Sequence, residues 1–480
     1  MRRVLTGTLS GSLLLAACAI GPNHKRPDVP SPKAHRGDEQ AATKPAQDTS
    51  FADLPWWQVF RDSTLSSMIK EATQKAYDVR IAMARVEVAR QAHIAAAWAT
   101  APTLGIWGGA GDAVGVPSVP TIYPPPSLNG NFGVGVAASW EPDLWGRLRR
   151  LNEVQREGYE AAGEDRRAVQ ITLVGDVAEQ YFSLLSLDLQ KDYAKRAVTT
   201  RKDTATFFEQ RATGGVGNQL EVLRAVASLK EAEASVTKID LAIANGENGL
   251  SYLLARMPGN IERKVALDAV LSPPAVPAGL PSSLLQRRPD VVSAEHRLAA
   301  ANAQIGAEKA DFFPKFDLTG FLGAASHNLK QASFIRGGGG MFAWTLPVLG
   351  GQKILSEYKA AKAAWEGATA QYERTAVNAF REVANALASI NTLAQRRTAV
   401  DAQLAALEQA QTVALERYRG GVANYLDVLT TQERLFVSQL EVADLKGQQL
   451  IAVARLYRTL GGGWPTVEQR EAEHEAKAAK

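Results

Sequence analysis

The sequence predicts a mixed α and β membrane protein built as two tandem copies of one unit, and three observations carry that prediction. The first is a pair of stretches that align without a gap, Arg211-Ala-Thr-Gly-Gly-Val-Gly-Asn-Gln-Leu-Glu-Val-Leu223 and Arg417-Tyr-Arg-Gly-Gly-Val-Ala-Asn-Tyr-Leu-Asp-Val-Leu429. Each breaks an Ala/Leu/Glu/Arg-rich helical pattern with a glycine pair, Gly214 with Gly215 and Gly420 with Gly421. Such a pair ends helices because glycine takes positive φ without steric cost. Asn218 and Asn424 follow as N-caps, so each copy reads as helix, tight turn and returning helix. The second observation is length: the helical patterns over 146–211 and 352–418 are each roughly sixty residues, on the order of 90 Å at 1.5 Å per residue. The third is a change of period to two in a pair of segments placed symmetrically in the repeat.

Taken in order, Arg2-Arg3, a short run of small and apolar residues to Ala17, and Leu15-Ala-Ala-Cys18 read as an export signal. Leu15 to Cys18 resembles the bacterial lipobox, which implies cleavage before Cys18 and acylation of its thiol. Residues 21–50 are Pro-rich, polar and aperiodic, and read as an extended tether. Trp56-Trp57-Gln-Val-Phe60 marks a packing segment, and an amphipathic helix follows over about 65–98. The expected division is a signal over 1–17, a lipidated tether over 18–50, a first repeat over 51–270, a Pro-rich insert over 271–282, a second repeat over 283–460 and a tail over 461–480. The first repeat holds a β-hairpin at 102–142 and the turn 211–223; the second holds a hairpin at 314–347 and the turn 417–429.

In the hairpins Phe132, Val134, Val136, Ala138 and Trp140 fall on one face, and Gly133, Gly135, Ala137 and Ser139 on the other. Phe316, Leu318 and Gly320 alternate in the same way with Lys315, Asp317 and Thr319, and Phe342, Trp344 and Leu346 mark a fourth segment. Segments with one apolar face, one small or polar face and aromatic residues at the ends resemble the wall of an outer-membrane barrel. Val116 to Leu128, rich in proline, is the expected outer loop. Four strands do not close a barrel, and open edges are forbidden in lipid, so the chain is expected to oligomerise as two, three or four copies. Leu393, Val400, Leu404, Leu407, Ala414 and Tyr418 keep heptad spacing and predict coiled-coil neighbours.

A net charge of +4 over 480 residues gives no argument for nucleic acid. One cysteine excludes an intrachain disulfide framework. His24, His35, His93, His296, His327 and His474 have no metal-ligand spacing, and Gly337 to Gly340 lacks the Gly-Lys-Ser/Thr of a phosphate loop. Neither an enzyme nor a bound cofactor is expected; the one attached group is the lipid on Cys18.

Cys18-Ala-Ile-Gly-Pro-Asn-His-Lys-Arg-Pro27, Trp56 to Phe60, Leu280-Pro-Ser-Ser-Leu-Leu-Gln-Arg-Arg-Pro-Asp290, Ala299 to Ala303, the two glycine turns and Leu460-Gly-Gly-Gly-Trp464 span nearly all of the mature chain. Together they resemble the outer-membrane factors of tripartite efflux systems, the TolC-like, NodT-type lipoproteins. The resemblance implies a homotrimeric conduit: a 12-stranded transmembrane β-barrel, four strands per chain, continued by a long α-helical periplasmic barrel with an equatorial belt. It implies as partners a periplasmic adaptor and an inner-membrane pump, expected to be of the RND type, with drugs or other small toxic compounds as cargo. It also places the turns with Arg211, Gly214, Gly215, Arg419, Gly420 and Gly421 at the periplasmic tip, with Tyr418, Asp427 and Glu221 as polar gate positions. Ala423 departs from related members that carry a charge there. Metal-ion efflux and type I secretion are alternatives within the same fold; a coiled-coil adaptor or structural lipoprotein is the alternative of a different class.

Overall fold

A computed structural model describes residues 19–32, 62–110, 132–270, 281–326, 335–346 and 351–462. Cys18, the segment Trp56 to Phe60, the loop Val116 to Leu128, most of the insert 271–282 and the tail from Trp464 lie outside the described residues. The helices are α1 (Ser63–Lys75), α2 (Tyr77–Trp98), α3 (Arg147–Thr213), α4 (Gln219–Leu253), α5 (Pro281–Arg287), α6 (Pro289–Ala310), α7 (Gly351–Arg419) and α8 (Tyr425–Thr459). The strands are β1 (Thr103–Ala110), β2 (Phe132–Trp140), β3 (Lys315–Ser326) and β4 (Ile335–Thr345). The chain divides into two units, one of residues 1–28, 84–164 and 293–374, the other of residues 29–83, 165–292 and 375–480.

The first unit carries a four-stranded antiparallel sheet in the order β1-β2-β3-β4. Its register sets Ile106 beside Val136, Leu322 and Gly338, and sets Trp140 beside Leu318 and Phe342. Because side chains alternate along a strand, one face collects Leu104, Ile106, Val134, Val136, Leu318, Leu322, Phe342 and Trp344, all of them exposed. Ile106 is 84% and Leu322 70% exposed, which in water would be an aggregation surface. The opposite face carries Thr103, Ser139, Asp317, Thr319 and a run of glycines. There a Cβ at Gly135 would lie 2.8 Å from Trp107 Nε1, and one at Gly323 would lie 3.0 Å from Trp107 Cζ2, so the indole lies over both glycines. At the foot of the sheet Trp145 Nε1 donates to the Pro314 carbonyl at 2.8 Å and Trp140 Nε1 to the Thr100 carbonyl at 3.1 Å. Residues 19–28, read above as tether, are instead seated on this unit, where Asn302 Nδ2 donates to the Pro22 carbonyl at 2.8 Å.

The second unit is helical. Asp62 caps α1 by accepting from Thr64 N and Leu65 N, and its other carboxylate oxygen accepts from the Tyr181 hydroxyl at 2.8 Å. Tyr181, Phe182, Leu184, Leu185, Leu65, Ile69, Leu250 and Leu254 are fully buried. Small residues let helices approach: a Cβ at Gly447 would stand 2.6 Å from Ser186 Cβ, and one at Gly246 2.7 Å from a Leu184 methyl. The heptad residues Leu393, Val400 and Leu404 of α7 pack with Val442 and Leu445 of α8. The Arg-Arg-Pro-Asp motif has a structural use here. Buried Arg288 pairs with Asp290 at 2.6 Å and Glu382 at 2.7 Å and donates to the Thr459 carbonyl at 3.0 Å. It fastens the start of α6 to α7 and to the end of α8.

Candidate functional site: the paired helical turns

Both turns close with the same hydrogen bonds. In the first, Val216 N donates to the Arg211 carbonyl and Gly215 N to the Ala212 carbonyl, each at 3.1 Å. In the second, Val422 N donates to Arg417 and Gly421 N to Tyr418, each at 3.0 Å. This is the Schellman pattern, which needs one residue in the left-handed region. Gly215 and Gly421 supply it with φ of 74° and 73°. Asn218 and Asn424 then cap α4 and α8.

The caps differ. Asn218 accepts from Leu220 N, and Asn424 from Asp427 N. The residue before each cap gives the reason. A Cβ on Gly217 would lie 2.5 Å from Ala212 N, so the first turn folds more tightly than a side chain allows. Its counterpart Ala423 carries that carbon.

Beneath the turns the two hairpins share one core: Ala205, Phe208, Val222 and Ala225 of the first with Tyr425, Val428 and Leu429 of the second. The Phe208 ring stands 4.3 Å from Tyr425 and 6.0 Å from Tyr418 between centroids. Across this cluster Arg211 Nη1 donates to the Tyr418 hydroxyl at 2.9 Å. The Arg211 guanidinium also lies 5.7 Å from the Phe207 ring centroid. Burial, then the nearby Glu221 carboxylate, push the Tyr418 hydroxyl above its ordinary pKa, with Arg211 opposing. Burial pushes Tyr425 up to about 12. Both phenols therefore stay neutral at physiological pH.

Of the three expected polar gate positions, Tyr418 is held from outside the set: its oxygen accepts from Arg211. Glu221 acts on it through charge alone, and Asp427 sits exposed on the first turn of α8. Arg419, Gly214 and Gly420 lie at the helix ends. The ring of Phe208, missed in the sequence, is the centre of the cluster; the Phe207-Phe208 pair about two turns before the glycines was its only signal. Apolar side chains stand outward at matched positions, Val216 (72% exposed) with Val422 (70%), and Leu220 with Leu426.

Comparison with known proteins bears on the whole chain. The family described as outer membrane efflux protein matches residues 68–256 and 280–462. The toluene efflux pump outer membrane protein TtgF of Pseudomonas putida is 31% identical over 472 residues, covering 96% of this chain and 97% of that protein. The cation efflux system protein CusC of Escherichia coli is 29% identical over 467 residues, covering 94% and 98%. Among solved structures the outer-membrane channel OprN superposes with a TM-score of 0.83 at 29% identity, over 93% of this chain and 100% of that one.

Proposed function

The chain belongs to the outer membrane efflux protein family, and from that premise we propose a passive conduit of three copies. It is an outer-membrane channel component of an efflux pump. The observation that carries the trimeric reading is the sheet. It has an exposed apolar face, and β1 and β4 each keep one edge without a partner among the described residues. Lipid tolerates neither an open edge nor an unfilled backbone donor. Three copies, twelve strands, close the wall; the glycine-lined face then becomes the lumen.

The same proposal assigns Cys18 as the acylated anchor and the paired turns as the periplasmic end. There the exposed Val216, Leu220, Val422 and Leu426 offer an apolar surface to an adaptor, which links the conduit to an inner-membrane RND pump. Three-fold symmetry would set Asp427 and Glu221 of each copy around the axis, an acidic ring that favours cations. Drugs or other small toxic organic compounds are the proposed cargo, in keeping with the toluene pump protein; the likeness to CusC supports metal ions as the second reading.

Native mass spectrometry and planar-bilayer recording test the proposal together. Three copies per particle with channel conductance are expected. A monomer that conducts nothing would return the chain to the class of structural or adaptor lipoproteins.

A further inference from the structure

About two turns from Phe208, on the side away from the glycines, α3 buries a cation. Arg201 is 4% exposed, and its Nη1 donates to the Ser228 carbonyl of α4 at 2.8 Å and reaches the Glu231 carboxylate at 3.4 Å. The Glu231 side chain is 65% exposed, so water screens that pair. Toward α8 the guanidinium lies over Phe436, 5.2 Å from the ring centroid. Its charge reaches the aromatic cluster: burial pushes the Tyr425 hydroxyl up to about 12, and Arg201 opposes that rise.

Two more buried polar side chains belong to this level. Gln432 stands one turn from Phe436 on the same face of α8, and Ser228 is the residue whose carbonyl Arg201 takes. Gln432 Oε1 and Ser228 Oγ have no hydrogen-bond partner among the described residues. Buried Ser186, about four turns farther along α3, is the contrast. Its hydroxyl donates to the Ala443 carbonyl of α8 at 3.0 Å and accepts from Gln190 Nε2 at 3.2 Å. Both levels are polar and buried, but only the one near the turns is short of partners. A buried polar atom without a partner, or a buried cation with little counter-charge, is unfavourable in a way that contact with water relieves.

We propose that Arg201, Ser228 and Gln432 form a deliberately weak layer between the two hairpins, which lowers the cost of parting them at the tip. Its bearing on transport rests on the reading of the paired turns as the periplasmic end of a conduit. While the hairpins are packed, the Phe208 cluster and the Arg211 to Tyr418 bond hold them together and the Arg201 layer works against them. When they part, the guanidinium, the amide and the hydroxyl gain water, which returns part of what the cluster loses. The satisfied Ser186 level offers no such return, so opening is confined to the part of the coiled coil between that level and the turns. A clamp built on Arg201 would have the opposite sign: its removal would loosen the tip, whereas removal of a weak layer tightens it.

The test is hydrogen exchange of the full-length protein in lipid, read at residues 205–229 and 417–436, where amide exchange reports local opening. Four forms are compared: the natural protein, Arg201→Met, Gln432→Leu, and Lys202→Met as the exposed control on the same turn of α3. Methionine and leucine match arginine and glutamine in helix propensity, so a change in exchange reports the layer and not the helices. The expected result is several-fold slower exchange at both hairpins in Arg201→Met and in Gln432→Leu, with Lys202→Met unchanged. Faster exchange in Arg201→Met makes Arg201 a clamp, and unchanged exchange makes the layer inert; either overturns the inference. If Arg201→Met fails to assemble, Gln432→Leu decides by the same criterion, since it removes an unpartnered oxygen and no charge. Single-channel recording of the same forms separates the two readings. Slower exchange with fewer openings supports both, whereas slower exchange with unchanged openings keeps the weak layer and overturns the placing of the gate at the turns.

Discussion

Ile106→Arg distinguishes a lipid-facing wall from an ordinary half-buried sheet. The row Ile106, Val136, Leu322 and Gly338 stands three two-residue steps from Trp344 along β4, since Trp344, Phe342, Gly340 and Gly338 succeed one another on the same face. At about 3.4 Å per residue this is about 20 Å along the strand. At a tilt of about 40° it becomes about 15 Å of depth, near the middle of an apolar band about 25 Å tall. Arginine at that depth costs about 2–4 kcal/mol per copy. Thr319→Arg, on the opposite face beside Ser139 and Met341, is the control and is expected to leave assembly intact. Gly135→Arg is unsuitable: a Cβ there would meet the Leu322 carbonyl oxygen at 2.6 Å, so it fails for steric reasons on either face. The assay is the urea midpoint of the heat-modifiable oligomer in lipid. Equal midpoints for Ile106→Arg and Thr319→Arg would refute the assignment of faces.

Tyr418→Phe removes the acceptor of Arg211 while keeping the ring against Phe208, so it should cost about 1 kcal/mol locally. Hydrogen exchange at residues 417–429 should quicken about five-fold with the oligomer unchanged, and single-channel recording should show a looser closed state. Gly217→Ala should weaken the first turn by more than about 1 kcal/mol because its Cβ meets backbone, whereas Ala423→Gly should cost about 0.5–1 kcal/mol from chain entropy alone; exchange at the two turns reads both. His296→Asn tests a pH dependence. Burial opposes protonation of His296, but the Glu157 carboxylate at 2.7 Å, with Glu160 and Glu164 beyond it, raises its pKa above 6.5. The stabilisation is therefore complete below that value and is lost as pH rises through the raised pKa. Glu157 is shifted the other way, its burial outweighed by His296 and Arg156, so its contribution fades only in acid, below the ordinary carboxylate range. The melting difference between natural protein and variant should be largest below about pH 6.5 and should shrink as the pH rises through the raised pKa of His296.

The long helices and the four strands were legible because their signals are periodic and local. A heptad such as Leu393, Val400 and Leu404, or an alternation such as Val134, Gly135 and Val136, needs no knowledge of distant residues. The glycine turns were legible for the same reason, since Gly215 and Gly421 are required by φ. What the sequence hid is long-range pairing. Arg211 with Tyr418 lies 207 positions apart, and Arg26 with Tyr372 lies 346 apart. No spacing rule connects such residues. Residues 19–28 resemble a linker in proline and polar content; their order comes from partners on α3, α6 and α7 that local composition does not reveal.

The two turns share a local grammar and diverge in what surrounds it. Leu429 is 8% exposed within the shared core, while its counterpart Leu223 is 57% exposed. Tyr425 packs against Phe208 with its ring tilted by 59°, whereas the matching Gln219 is exposed. The second turn thus supplies the aromatic packing, and the first supplies Phe208, Arg211 and the outward Leu223. Neither hairpin carries the cluster alone, because the Arg211 to Tyr418 bond and the Phe208 to Tyr425 contact each take one residue from either hairpin. A change that moves one hairpin must therefore break a charge-assisted hydrogen bond and an aromatic contact together. That coupling makes the two hairpins give way together rather than singly, which is what the gate proposed for this end of the conduit would require.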